Sequence, residues 1–177
     1  MSIQEDVISS SHGNVLNKRG NDSLNNDEDK LLSNTTAITA NLSNFCKQIL
    51  EVDKSIRFVG IANTLGSLIT TEYRQGSVPL MTKQETSQYA IEAVLRAAIR
   101  EEFESKIGRL EYSIGKYEKL LRATVPILLK IHRQEDRNKK FYLLLSFDID
   151  SDAKSIIEIM ILPFIRKKSI FFDFEPC

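Results

Sequence analysis

The sequence predicts an α+β domain: a five-stranded antiparallel sheet with helices on its faces, in the order α-β-β-α-β-β-β-α. Three observations predict it. Three stretches repeat apolar residues at the helical period, and five others carry the alternation or continuous apolar run of strands. One pair of strands flanks a short turn ending in Gly66, as a hairpin does. With 177 residues, 42% of them hydrophobic and 27% charged, the chain can bury a core as one ordinary domain without disulfides or metals.

Residues 1–33 stand apart. They hold no aromatic residue, three basic and six acidic ones, and apolar residues without period. Such a segment cannot bury enough surface to offset its backbone entropy, so a disordered polar acidic tail is expected, with a short acidic docking peptide as the other reading. The formal net charge of zero therefore divides into minus three for the tail and plus three for the rest. The domain is expected over 34–168, with 169–177 as a Phe-rich extension.

From Thr35 or Thr36, Ile38, Leu42, Phe45 and Ile49 fall on one helical stripe ending near Val52. Cys46 on its flank reads as a small buried hydrophobe, since no activating motif surrounds it. Ser55–Ala62 and Ser67–Tyr73 are β-branched and aromatic, and Asn63-Thr64-Leu65-Gly66 turns the chain between them. Gly60 inside the first strand marks a bulge or a close approach by a helix. Thr82 with Glu85 fits a capping box, opening a helix from Lys83 to about Lys106 that Gly108 ends. Ile91, Val94, Leu95 and Ala98 are assigned to its apolar face, and Glu92, Arg96, Arg100 and Glu104 to a salt-bridged solvent face.

Leu110, Tyr112 and Ile114 alternate with polar residues as a third strand. The fourth runs from Leu120 to Ile131 with period two, and Pro126 within it predicts an edge, an interruption or a bulge. His132–Lys140 reads as a polar loop. Phe141–Asp148 is nearly all apolar and so central. Ser151 or Asp152 caps a final helix, Ala153 to about Lys167, apolar almost all round and therefore covered on more than one side, with Pro163 kinking or ending it. The Phe-rich end after Arg166-Lys167-Lys168 either packs back, as by strand addition, or docks into a partner.

This order resembles the roadblock / dynein light chain fold, a relative of the profilin and longin domains. The resemblance rests on the first helix running into VDKSIRFVGIANTLGSLITTEY and on the strand, acidic turn and helix of FYLLLSFDIDSDAKSII. It covers Asn34 to about Lys168; the charged loop Gln134–Lys140 and the Phe-rich end depart from it. The chain is also similar in style to small archaeal proteins. The resemblance implies a homo- or heterodimer, a homodimer being expected here, in which the second helix, Lys83–Lys106, and third strand, Arg109–Gly115, meet the partner and join two sheets. It makes Tyr89, Leu95, Ile99, Phe103, Tyr112 and Ile114 contact candidates, residues equally consistent with monomer core. It further implies a non-enzymatic interaction or scaffold module that regulates a small GTPase or engages another protein.

Residue types argue against an enzyme. With His12 in the tail, His132 is the remaining neutral-pH base and lies beside no nucleophile motif. Cys46 and Cys177 offer no zinc spacing, and Asp148 with Asp150 is explained by helix capping more simply than by a divalent cation. No cofactor is expected. Basic residues gather between Arg109 and Lys140, and Arg109, Lys116, Lys119 and Arg122 are candidate anion contacts. They give a weak nucleic-acid binder as one alternative, unfavoured by the zero net charge, and a small-ligand sensor as another. Sparse cysteine, no N-terminal apolar signal and no run able to span a bilayer predict a cytoplasmic protein without a membrane span.

Overall fold

The computed structural model describes residues 36–130, 138–172 and 174–176, with side chains over 36–128 and 139–167. The chain divides into two units, with the boundary between Ile38 and Thr39. The expected tail, the loop 131–137 and the side chains of the Phe-rich end lie outside the described residues.

Helix α1 spans 36–50. Strands β1 (Ile56–Asn63) and β2 (Leu68–Tyr73) form the predicted hairpin. Helix α2 (Lys83–Glu101) and a one-turn α3 (Glu104–Ile107) lead to β3 (Ser113–Lys116), β4 (Leu120–Lys130) and β5 (Asn138–Asp148). A turn of helix, α4 (Ala153–Ser155), widens into a π-helical turn (Ile156–Ile161) and continues as α5 (Leu162–Phe172). A short sixth strand, β6 (Phe174–Pro176), follows.

All pairings are antiparallel and the strand order is β2-β1-β5-β4-β3, so β5 is central as its apolar run predicts. The predicted element order and fold class are those observed, with β6 added. Strand β6 pairs with Ile127–Leu129 of β4, on the edge whose other half, Leu121–Thr124, pairs with β3. Pro126 falls in the gap between these two pairings, so its missing N–H takes no bond from the β3 or β6 ladder.

Period two sorts the strands into two layers. Leu121, Ala123, Val125 and Ile127 of β4, and Phe141, Leu143, Leu145 and Phe147 of β5, meet α1 and the terminal helix. On that side Phe45 of α1 stacks near Phe164 of α5, ring centroids 5.9 Å apart. On the other side Phe58, Ala62, Tyr142 and Leu144 meet α2. A register shift between Ile56 and Phe58 restores parity, so Ile56, Val59 and Ile61 all face the first layer.

Three expectations are corrected. The helix from Lys83 does not run unbroken to Lys106: Phe103 N–H bonds Arg100 O, three residues back, the backbone leaves the helical region there, and Gly108, at φ 89°, ends α3. The third strand does not span Arg109–Gly115. It is only Ser113–Lys116, and Leu110 and Tyr112 before it pack into opposite layers. Asn138–Lys140 belong to β5 rather than to a loop.

The final helix shows what Pro163 does. It neither ends the helix nor breaks it. A proline inside an α-helix lacks one N–H and its ring crowds the carbonyl four residues back. Here the preceding turn opens to π geometry, with Leu162 N–H bonded to Ile157 O, and the helix runs on to Phe172. Nor is it covered all round: Ile156, Ile157, Ile161 and Ile165 are buried, while Ile159 is 71% exposed. Asp152 is the cap, its carboxylate accepting from Ser155 N–H at 3.1 Å.

Close approach by a helix occurs, but at Gly66 rather than Gly60. A Cβ on Gly66 would lie 2.4 Å from the Cα of Ile91 in α2, and its φ of +79° disfavours any side chain. At Gly60 the crowding group is the Phe58 ring.

Candidate functional site

Helix α2 begins as predicted: Thr82 Oγ1 accepts from Glu85 N–H at 3.2 Å and Glu85 returns the bond to Thr82 N–H at 2.7 Å. The Thr82 N–H, and the Thr82 hydroxyl at 2.9 Å, donate to the Glu85 carboxyl and hold it below its usual range. Its C-terminal end is tied to β5, where Glu101 meets Lys140 at 2.6 Å and accepts from the Tyr142 hydroxyl at 3.2 Å.

The face that α2 turns to the sheet matches the predicted apolar face only at Val94. Thr86, Ala90, Ala93, Val94 and Ala97 are buried, while Ile91, Leu95 and Ala98, placed with Val94 on one apolar face, point outward. Alanines let the helix lie close on the sheet, so the large residues at the adjacent positions are displaced to the far side. The result is an outward apolar stripe on α2, Ile91, Leu95 (59% exposed) and Ile99 (52%), with Phe103 (53%) and Ile107 exposed past the break that ends the helix. The other long face is the expected solvated one, with Arg96 paired to Glu92 at 3.4 Å.

Of the six predicted contact residues, Leu95 and Ile99 thus line the exposed stripe of α2, and Phe103 is exposed just past its end. Ile114 is partly exposed on β3, the sheet's terminal strand. Tyr112 packs toward α1 and the terminal helix and donates to Glu158 at 2.5 Å, a bond that pushes its phenol up to about 12. Tyr89 is turned to the sheet and lies off the stripe. Ile91 and Ile107 were not among the predicted contacts; the four-residue spacing running through Leu95, Ile99 and Phe103 was the signal for both.

Of the four candidate anion contacts, Lys119 and Arg122 come together and Arg109 and Lys116 stand apart as exposed side chains. Arg122 rises from β4 on the α2 side. Its guanidinium carbon lies 3.7 Å over the Tyr89 ring centroid and its Nη2 lies 2.9 Å from Met81 Sδ. A groove of about 380 Å³ opens here, walled by Leu80, Met81, Tyr89, Tyr117 and Leu120, with Glu118 and Lys119 also lining it. Burial first, then the Tyr117 hydroxyl, pushes the Tyr89 phenol above its ordinary range, and Arg122 pulls the other way.

Other chemistry-bearing groups are engaged structurally. Asp148 accepts from Arg57 at 2.7 Å. Cys46 is buried, and desolvation, with a smaller push from Glu72, raises its thiol to about 12, far from a nucleophile's range. Among the described residues no three His, Cys, Asp or Glu side chains group as metal ligands, and no helix is long and apolar enough to cross a membrane.

No family model and no curated protein matches the chain. The similar solved structures are roadblock/LC7 domain proteins. Myxococcus xanthus MglB is 13% identical, with a TM-score of 0.49, over 75% of this chain and 84% of that one. A roadblock/LC7 domain from Streptomyces avermitilis is 8% identical, with a TM-score of 0.49, over 72% and 97%. A structure described as MglB with tetrameric arrangement is 12% identical, with a TM-score of 0.46, over 63% and 73%. At such identities the similarity is one of fold.

Proposed function

We propose that the chain is a non-enzymatic interaction module that works as a homodimer built on α2 and β3. The outward stripe of Leu95 and Ile99, with Phe103 past its end, carries this reading. Large apolar side chains exposed along a helix and just past its end are costly to leave in water, and a second copy covers them without a new surface having to be made. Among the described residues no strand pairs with the flank of β3 away from β4. A two-fold axis at that edge would pair β3 antiparallel with its copy and set the two α2 stripes side by side.

The expected signature is concentration-dependent protection: amide exchange at Ser113–Lys116 and along α2 slows as protein concentration rises. Exchange there that is independent of concentration would remove the dimer. The finer reading, that the dimer presents a surface to a small GTPase, rests on the resemblance in element order. Pull-down with GTPases in both nucleotide states tests it, and retention that a stripe-disrupted monomer retains equally would count against a dimer-made surface.

A further inference from the structure

We propose that the groove at Arg122 is a binding site for a small monoanionic ligand, a carboxylate carried on an aromatic or branched aliphatic group. The inference starts from the half-buried cations. Among the described residues these are Arg57, Arg74, Arg122 and Lys140. Arg57 is paired with Asp148 at 2.7 Å and Lys140 with Glu101 at 2.6 Å. Arg74 donates to the carbonyls of Leu50, Asp53 and Ile56. Arg122 alone of the four has no carboxylate or carbonyl partner; it meets the ring face and hydroxyl of Tyr89 and a thioether.

A guanidinium taken partly out of water needs compensation, and a thioether is a weak acceptor. The Tyr89 face returns part through its quadrupole and holds the planar fork in place. That stacking uses the guanidinium's face and leaves N–H groups at its edge for a carboxylate, which matches the fork in width and geometry. The groove that meets Arg122 has the volume of a small-molecule site and is mostly apolar, with Leu80, Met81, Tyr117 and Leu120 as walls.

Charge count sets the ligand class. Glu118 and Lys119 offset one another, so Arg122 supplies a net charge of one. A polyphosphate would bring more charge than the groove answers and would meet Glu118. On the far side of Arg122 a second hollow, bounded by Phe58, Thr86 and Ser146 among others, measures about 20 Å³, room for roughly one water. The ligand therefore lies on the outer side, between Tyr117 and Leu80. None of Leu95, Ile99 and Phe103 lines the groove, whose nearest parts to the dimer reading are Tyr89 of α2 and Tyr117, next after β3.

The test is calorimetric titration of the full chain with 4-phenylbutyrate and with its neutral amide. The expected result is saturable binding of the acid, about tenfold or more tighter than the amide. Arg122→Met, which keeps an apolar side chain at the position, should bring the acid down to the amide's level while thermal unfolding stays cooperative. Lys119→Gln should change affinity less than about threefold, as a rim charge does. Equal binding of acid and amide, undiminished binding by Arg122→Met, or no saturable binding of the acid would each overturn the proposal. So would inorganic phosphate binding as tightly as the acid, because the apolar walls would then contribute nothing.

Discussion

The two layers on either side of the sheet are built differently from similar ingredients. Where α1 and the terminal helix cover the sheet, the large residues point inward: Phe45, Ile49, Phe147, Ile157, Ile161 and Ile165 are buried together. Where α2 covers it, the contact is made by Ala90, Ala93, Val94 and Ala97, and the large residues point away. Burial of apolar area is the main favourable term in folding, so the first layer supplies most of the stability. The second spends little of its helix on the monomer and leaves Leu95, Ile99 and Phe103 exposed. One face is a core; the other is a thin seam under an outward surface.

The sharpest way to break this comparison is a deletion in each layer. Phe147→Ala in the first layer should cost about 3–5 kcal/mol in urea unfolding, enough to threaten folding. The seam has a different weak point. Gly66→Ala places a methyl against the α2 backbone at Ile91 and forces a left-handed φ on alanine, so we expect a loss of about 2 kcal/mol and chemical-shift changes centred on Ile91. Glu101→Gln removes the ion pair that pins the end of α2 to Lys140; with both partners partly exposed, the expected loss is about 1 kcal/mol. Leu95→Ala should change unfolding of the isolated monomer by less than about 0.5 kcal/mol, because it empties no core. A cost for Leu95→Ala near that of Phe147→Ala, at a dilution where the chain is monomeric, would dissolve the distinction between the layers.

Cys46 sharpens the account through pH. Its thiol is raised to about 12 in the fold against an ordinary value of 9.0, so the folded state holds the proton that the unfolded state releases. Stability from this group is complete below about pH 9 and falls as pH rises from there toward 12. Thiol labelling of Cys46 at pH 8 should require unfolding, and rapid labelling of the native chain would show that the first layer is looser than described.

Most of the fold was legible because its signals are local. The Thr82–Glu85 box, the turn at Gly66 and the parity of Leu121, Ala123, Val125 and Ile127 each follow from a few neighbouring residues. The misreadings arose where a partner decides. Ile91 and Leu95 look like core on any scale of hydrophobicity; what put Ala90 and Ala93 inward instead is the closeness of helix to sheet, which no local pattern states. Pro163 reads as a stop until the π turn before it absorbs the missing bond. Arg122 was legible as a cation and Tyr89 as an aromatic, but their stacking depends on the juxtaposition of β4 and α2.

The central claim is that the outward stripe of α2 is an interface between two copies. Light-scattering mass of the full chain at micromolar concentration tests it most directly, alongside a variant carrying Leu95→Glu and Ile99→Glu. The account predicts twice the 20.2 kDa chain mass for the wild type and 20.2 kDa, with cooperative unfolding intact, for the variant. A wild type at 20.2 kDa, or a variant that stays dimeric, would contradict it.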